Sequence, residues 1–135
     1  MTNSQLVAGV DSSTQSVKVV LCDVQTGEIK KTITRPHPDG TEVDPIHWLN
    51  ALNEALSEAE TFGEISAIAI GGQQHGMVLL DANGEVIRPA LLWNDTRSDK
   101  TAAALNSEFP EIAKLTGSQL VASFTAAKVR WVAEN

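Results

Sequence analysis

An α/β layered domain is predicted by three features of this 135-residue sequence. Short β-branched runs crowd its opening, an amphipathic helical stretch follows them, and further apolar runs then give way to helical periodicity. With 42% apolar residues, the chain can build one modest core and one domain.

The elements can be read in chain order. Leu6 to Val10 is a short apolar run ending at Asp11, and Val17 to Val24 is a second. The small polar residues Ser12 to Ser16 between them read as a hairpin connection. Gln25-Thr26-Gly27 supplies the next turn, and Glu28 to Thr34 alternates as a third strand, so an antiparallel meander is expected over 5–34. Arg35 to Val43 holds two prolines and a glycine and reads as a loop. Asp44 fits a helix N-cap with Pro45 at the first helical position. The stripe Ile46, Leu49, Leu52, Leu56 and Ala59 then predicts a helix over 45–61, stopped near Phe62-Gly63.

Further strands are expected over 65–93. Ile65 to Ile70 is almost wholly apolar, which predicts a strand covered on both faces. Gly71 to Gly76 breaks it, Met77 to Leu80 resumes, Asp81-Ala82-Asn83-Gly84 turns, and Ala90 to Trp93 reads as an inner strand with Pro89 at its start. The region 96–134 reads as helical. Thr96 to Glu108 has Ala102, Leu105 and Phe109 as apolar anchors; Ile112 and Leu115 face inward after Pro110; Thr125 to Glu134 carries Val129 and Val132.

Seventeen acids against ten Lys and Arg give a net charge of -7, which argues against a nucleic-acid face. A local nucleotide site is still compatible with that balance. The single cysteine, Cys22, excludes an internal disulfide and reads as a buried strand residue. No run approaches the roughly 20 apolar residues of a membrane span, so no membrane partner is expected. Met1-Thr2-Asn3-Ser4-Gln5 lacks a basic region and an apolar stretch, which reads as no signal peptide and a cytoplasmic setting.

Three segments could carry chemistry. In Asp11-Ser12-Ser13-Thr14 an apolar strand delivers an acid and hydroxyls to a tight turn, where amide N–H groups and hydroxyls can hold phosphate oxygens. The Asp11 carboxylate can orient a hydrated Mg²⁺ bridging them. An ordinary hairpin turn is the alternative, and no Walker A loop is present. Gly72-Gln73-Gln74-His75-Gly76 follows a predicted buried strand, and strand ends are where ligands dock in open α/β sheets. Gln74 and His75 offer neutral donors and acceptors suited to sugar hydroxyls; a glycine-rich turn is the alternative. No metal-ligand spacing links His75 with His37 or His47. In Trp93-Asn94-Asp95-Thr96-Arg97 the indole could form a flat wall for a sugar, and Asp95 and Arg97 could bind substrate or brace the loop. The alternative is a core tryptophan before a helix cap, with Asp95 and Arg97 paired locally.

Two weaker features read as structural. Trp48 is expected to pack, and Ser123 or Thr125 to cap the last helix beside a solvated Lys128. No Ser/His/Asp triad is signalled by spacing.

Taken together these segments are more specific than any one. Gly9 to Lys18 resembles the opening phosphate motif of the FGGY carbohydrate kinases, with Ser13 where glycine is commoner. Thr41-Glu42-Val43-Asp44-Pro45 with Trp48 is similar to the family, and especially to its xylulokinases. Gly72 to Gly76 resembles the family's Gly-Gln-Met-His-Gly, with Gln74 in place of methionine. Arg88 to Arg97 matches its Arg-Pro-Ala-x-x-Trp-x-Asp-x-Arg pattern, and Thr116-Gly117 and Phe124-Thr125-Ala126-Ala127-Lys128 match later segments. The resemblance runs from about Leu6 to Trp131. The glycerol kinases carry Arg-Glu where Gln74-His75 stand.

That resemblance implies a ribonuclease H-like, actin-like ATPase fold. Residues 1–135 would form an incomplete N-terminal domain of a two-domain sugar kinase. The implied reaction moves the ATP γ-phosphate to D-xylulose, giving D-xylulose 5-phosphate and ADP. Ribulose or another polyol is an alternative substrate, and a non-catalytic sugar- or protein-binding module is a different reading. Position by position, Asp11 would place Mg²⁺ through water, and Ser12, Ser13 and Thr14 would meet the nucleotide phosphates. Gln74, His75 and Trp93 would lie against the ketose, and Asp95 would hold it or its loop. Ser123 stands where glycerol kinases have a substrate-contacting tyrosine. The general-base aspartate and most adenine contacts are expected beyond this segment, so no catalytic residue is assigned in it and residues 1–135 alone are expected to be inactive. The resemblance leaves a homodimer open.

Overall fold

The computed structural model describes residues 5–135, and the reading of Met1 to Ser4 as free of a secretion signal lies outside the described residues. The chain divides into two compact units: the chain up to Asp39 with Ile46–Gln73, and Gly40–Pro45 with Gln74–Asn135.

In the first unit the meander forms as β1 (Leu6–Ser12), β2 (Ser16–Asp23) and β3 (Ile29–Pro36). The β1–β2 turn closes through the Ser13 N–H on the Ser16 carbonyl at 3.0 Å. At the other end the Asp23 carboxylate accepts the N–H groups of Gln25 and Thr26 at 2.9 and 3.0 Å. That side chain replaces the missing ladder partners, as an Asx-type turn requires. After helix α1 (Ile46–Glu60), β5 (Ile65–Gly72) joins the sheet parallel to β1, giving the order β3-β2-β1-β5. The two strands of the second unit, β4 (Glu42–Val43) and β6 (Ala90–Leu91), pair antiparallel.

Period-two alternation turns Leu6, Ala8, Val10, Val17, Val19, Leu21 and Ile33 to one face of the four-stranded sheet. Helix α1 covers that face with Ala51, Ala55 and Ala59, one turn apart, flanked by Leu52 and Leu56. Alanines at i, i+4 and i+8 let the helix approach the β-branched side chains closely. The expected stripe therefore lies rotated: Ile46 and Leu49 are exposed. Gly63 follows the helix with φ 140°, a conformation that favours glycine.

Two expectations fail here. Ile68 and Ile70 are exposed, so β5 is not covered on both faces within the described residues. The reason is placement: α1 packs over β2 and β3, and β5 lies at the sheet edge. Cys22 is only half-buried, because it shares the open sheet face with Val7 and Val20.

The second unit is less regular. Met77 and Leu80 make isolated bridges to Leu91 and Val86 in place of the expected strand, and β6 stops at Leu91, short of Trp93. The predicted loop over 35–43 instead contributes β4. Helices α2 (Asp99–Glu108), α3 (Ile112–Thr116) and α4 (Thr125–Glu134) follow. Their core joins Ala102, Leu120 and Ala127, with Leu105, Ile112 and Phe124 packed against it. Asn106 ties the irregular stretch down by donating to the Leu120 carbonyl at 2.8 Å and accepting its N–H at 2.9 Å. Phe109 and Leu115, expected inside, are exposed, as is Val129. α3 has a single turn and Gly117, at φ 81°, ends it before Leu115 can reach a core.

Candidate functional site

β1 and β5 run parallel, and Ser12 stands opposite Gly72 in register. Their carboxyl ends therefore release two polar loops side by side, the arrangement that favours ligand docking in open α/β sheets. The Gln73 N–H donates to the Ser12 carbonyl at 3.1 Å, and the Thr14 hydroxyl donates to the Gln73 side-chain oxygen at 3.2 Å. The Ser13 hydroxyl donates to the Asp11 carboxylate at 2.7 Å. Asp11 to Thr14 thus converge on one half-buried turn with Asp11 exposed, and Gln73 is a neighbour the sequence had grouped with the sugar loop.

Asp11 is exposed and sits cross-strand from Lys18. Together with Gly9, Ala69 and Gly71 they line a shallow depression of about 420 Å³ on the sheet face opposite α1. The two glycines contribute no side chain to it. Among the described residues no group of three or more His, Cys, Asp or Glu forms a protein cage for a metal. One exposed carboxylate beside hydroxyls still fits Mg²⁺, which keeps most of its waters and takes one or two carboxylates plus phosphate oxygens.

His37 braces this turn, a role no sequence signal had marked. Its backbone N–H donates to the Gln15 carbonyl at 2.8 Å, and its ring Nδ1 donates to the Ser13 carbonyl at 2.9 Å. A carbonyl only accepts, so Nδ1 carries the hydrogen. His37 is buried against Trp48, with ring centroids 6.5 Å apart. Trp48 therefore packs, as expected, but behind the turn.

In the second unit Gln74 and His75 are exposed. The His75 ring lies 4.7 Å from that of Phe124 at an angle of 32°. Lys128 contradicts its sequence reading: it is fully buried. Its ammonium donates to the carbonyls of His75 and Ser123 at 2.8 and 2.5 Å. Burial pushes the Lys128 pKa down, with the charge of Asp95 pulling against it. Helix α4 is capped by extended Phe124 without a side-chain bond, so neither Ser123 nor Thr125 is its cap. The Ser123 carbonyl serves Lys128 instead.

Trp93 is half exposed, while Asp95 is buried. One Asp95 oxygen accepts the Arg97 N–H at 3.0 Å and Nε at 2.9 Å, and the other accepts the Thr41 hydroxyl and a second Arg97 nitrogen, both at 2.9 Å. Burial opposes ionisation, but these donors outweigh it and hold the Asp95 pKa below the usual carboxylate range. Glu42 bridges Arg88 at 2.6 Å and Arg97 at 3.0 Å, and Arg88 foremost lowers its pKa. Both guanidinium groups lie over Trp131, 5.7 and 5.4 Å from its ring centre. Glu42 and Arg88 stood inside recognisable motifs, yet nothing local showed that they meet. Trp131 gave no signal beyond its spacing on α4.

The parallel strand ends and the polar loops that follow them define an α/β domain with polar groups at its strand ends, and the comparisons narrow it. The N-terminal domain model of the FGGY family of carbohydrate kinases matches residues 6–135, and the chain belongs to that family. It is 61% identical over 93 residues to a xylulose kinase of Arthrobacter sp. (strain NRRL B3728), covering 69% of this chain and 97% of that protein. Against a xylulose kinase of Streptomyces coelicolor it is 47% identical over 96% of this chain, and spans 29% of the relative's length. The crystal structure of xylulose kinase from Bifidobacterium adolescentis superposes with a TM-score of 0.91 at 47% identity, over 98% of this chain and 30% of that one. The fold is thus the actin-like ATPase fold, as the sequence predicted.

Proposed function

We propose that this chain forms the opening part of an ATP-dependent kinase that transfers the γ-phosphate to D-xylulose, yielding D-xylulose 5-phosphate and ADP. The observation that carries this reading is the pairing of the β1 and β5 carboxyl ends, with the Thr14 hydroxyl on Gln73. The hydroxyl-rich turn there is bonded to Gln73, which opens a segment rich in neutral hydrogen-bonding groups. The names and identities of the relatives support the choice of sugar.

Phosphoryl transfer is catalysed mainly by positioning and by stabilising developing charge. In this reading Ser12, Ser13 and Thr14 offer amide and hydroxyl donors to the nucleotide phosphates. Asp11 would hold Mg²⁺ through water, and the ion would neutralise phosphate charge. Gln74 and His75 hydrogen-bond the ketose, and Trp93 supplies a flat wall for its carbon face. The four donors around Asp95 leave it little capacity for substrate, which supports its role as the brace of the Trp93 loop. No residue among those named is given the task of accepting the hydroxyl proton, and residues 1–135 alone are expected to show no turnover.

A coupled ADP-release assay of the full-length protein, run with D-xylulose, ribulose and glycerol, tests the proposal. The highest kcat/KM should be with D-xylulose. Equal or greater efficiency with another acceptor would reject that substrate, and no ADP release with any of them would reject the kinase reading.

A further inference from the structure

Residue 75 has a backbone that its side chain does not favour. His75 has φ 61°, the one positive value at a non-glycine position among the described residues. For a residue with a Cβ such a conformation is uncommon, and it is held where the surroundings over-determine it. Glycine would take it freely, and glycines stand nearby at 72 and 76. An imidazole is therefore kept at a position where backbone geometry alone asks for none.

Helix α4 supplies the constraint from two directions. The Lys128 ammonium grips the His75 carbonyl at 2.8 Å, and the Phe124 ring supports the imidazole at 4.7 Å. Phe124 caps α4 and Lys128 lies four residues further on, and the Ser123 carbonyl, just before the cap, takes another Lys128 hydrogen. A buried ammonium is itself costly unless its donors are used. An apolar side chain of similar length would fill the same space without that cost, but could not hold a carbonyl.

We propose, resting on the sugar-kinase reading above, that Lys128 is a positioning residue. By holding the His75 carbonyl it keeps the backbone left-handed and presents the imidazole, seated on Phe124, to the hydroxyls of the sugar. Its effect on the ligand runs through His75 and not through direct contact.

The test is a double-mutant cycle in the full-length protein with Lys128→Met and His75→Gly, singly and together. Lys128→Met should raise KM for D-xylulose about tenfold or more and leave KM for ATP within about twofold. With glycine at 75, the same change should add less than about twofold, because no imidazole remains to be placed. Thermal unfolding of the four proteins without ligand reads the same coupling independently of any substrate. The Tm change caused by Lys128→Met should differ by several degrees between the two backgrounds. If Lys128→Met does not fold, Lys128→Gln, with a shorter donor, carries the cycle and should give an intermediate KM. Equal effects of the lysine change in both backgrounds, in KM and in Tm, would overturn the proposal. Coupling in Tm with KM for D-xylulose unmoved by His75→Gly would uphold the grip on residue 75 and reject its link to sugar.

Discussion

The Asp11–Thr14 turn hangs from strands of seven and eight residues whose inward side chains are clamped by a row of alanines on α1. The Trp93–Arg97 segment instead follows a two-residue strand, and its shape is set by Asp95, Arg97, Glu42 and Arg88. Apolar burial acts without direction and scales with area, so the first unit should lose stability in proportion to the atoms removed. Hydrogen-bonded charges act through particular partners, so the second should fail when one partner is deleted and the others are left buried. Each unit positions its loop, but by forces that respond differently to mutation and to pH.

The largest effect should come from the first unit's core. Leu21 is fully buried under α1, and Leu21→Ala should cost about 3 kcal/mol, read as a lower midpoint in urea unfolding. A loss below about 1 kcal/mol would mean that the α1–sheet core matters less than its burial suggests.

Next should be Asp95→Asn, which removes charge from the centre of the second unit. Three hydrogen bonds from Arg97 and one from Thr41 weaken together, and about 2 kcal/mol should be lost at neutral pH. The sign of its pH dependence follows from the lowered pKa values of Asp95 and Glu42. Between the folded and unfolded pKa values the unfolded chain binds more protons. Stability is thus fully present above about pH 4 and is lost as pH falls through the lower folded values. Tm followed from pH 7 to pH 3 should drop less steeply in an Asp95→Asn, Glu42→Gln protein than in the wild type.

The smallest effect should be at Leu115. The sequence places it inward, but it is 77% exposed, and Leu115→Ser should change stability by less than about 0.5 kcal/mol. A larger loss would show that α3 has an apolar partner.

These cases also mark what could be read from sequence. β1, β2 and β3 were legible because alternation and turn residues act locally, and α1 because its apolar spacing persists over four turns. Even there the buried stripe was misplaced, since Ile46 and Leu49 look more hydrophobic than Ala51 and Ala55, yet the alanines fit against the sheet. β4 was missed because it is two residues long and owes its strand character to Ala90-Leu91, far away in the chain. Of the candidate site, Asp11 to Thr14, Gln74, His75 and Asp95 were legible as polar groups after expected strands, and Trp93 as an aromatic wall at the end of one. Their supports were not. His37 beneath the turn, Lys128 beneath His75, and Glu42 between two arginines act across 24, 53, 46 and 55 residues of separation. A lysine on a helix reads as solvated unless its carbonyl partners are known.

Nucleotide and sugar constants measured on paired variants test most directly whether the two loops serve different ligands. Thr14→Val in the full-length protein should raise KM for ATP several-fold and leave KM for D-xylulose nearly unchanged, while His75→Ala should do the reverse. If both substitutions move the same constant, or neither moves any, the division of phosphate and sugar between the turn after β1 and the loop after β5 is wrong.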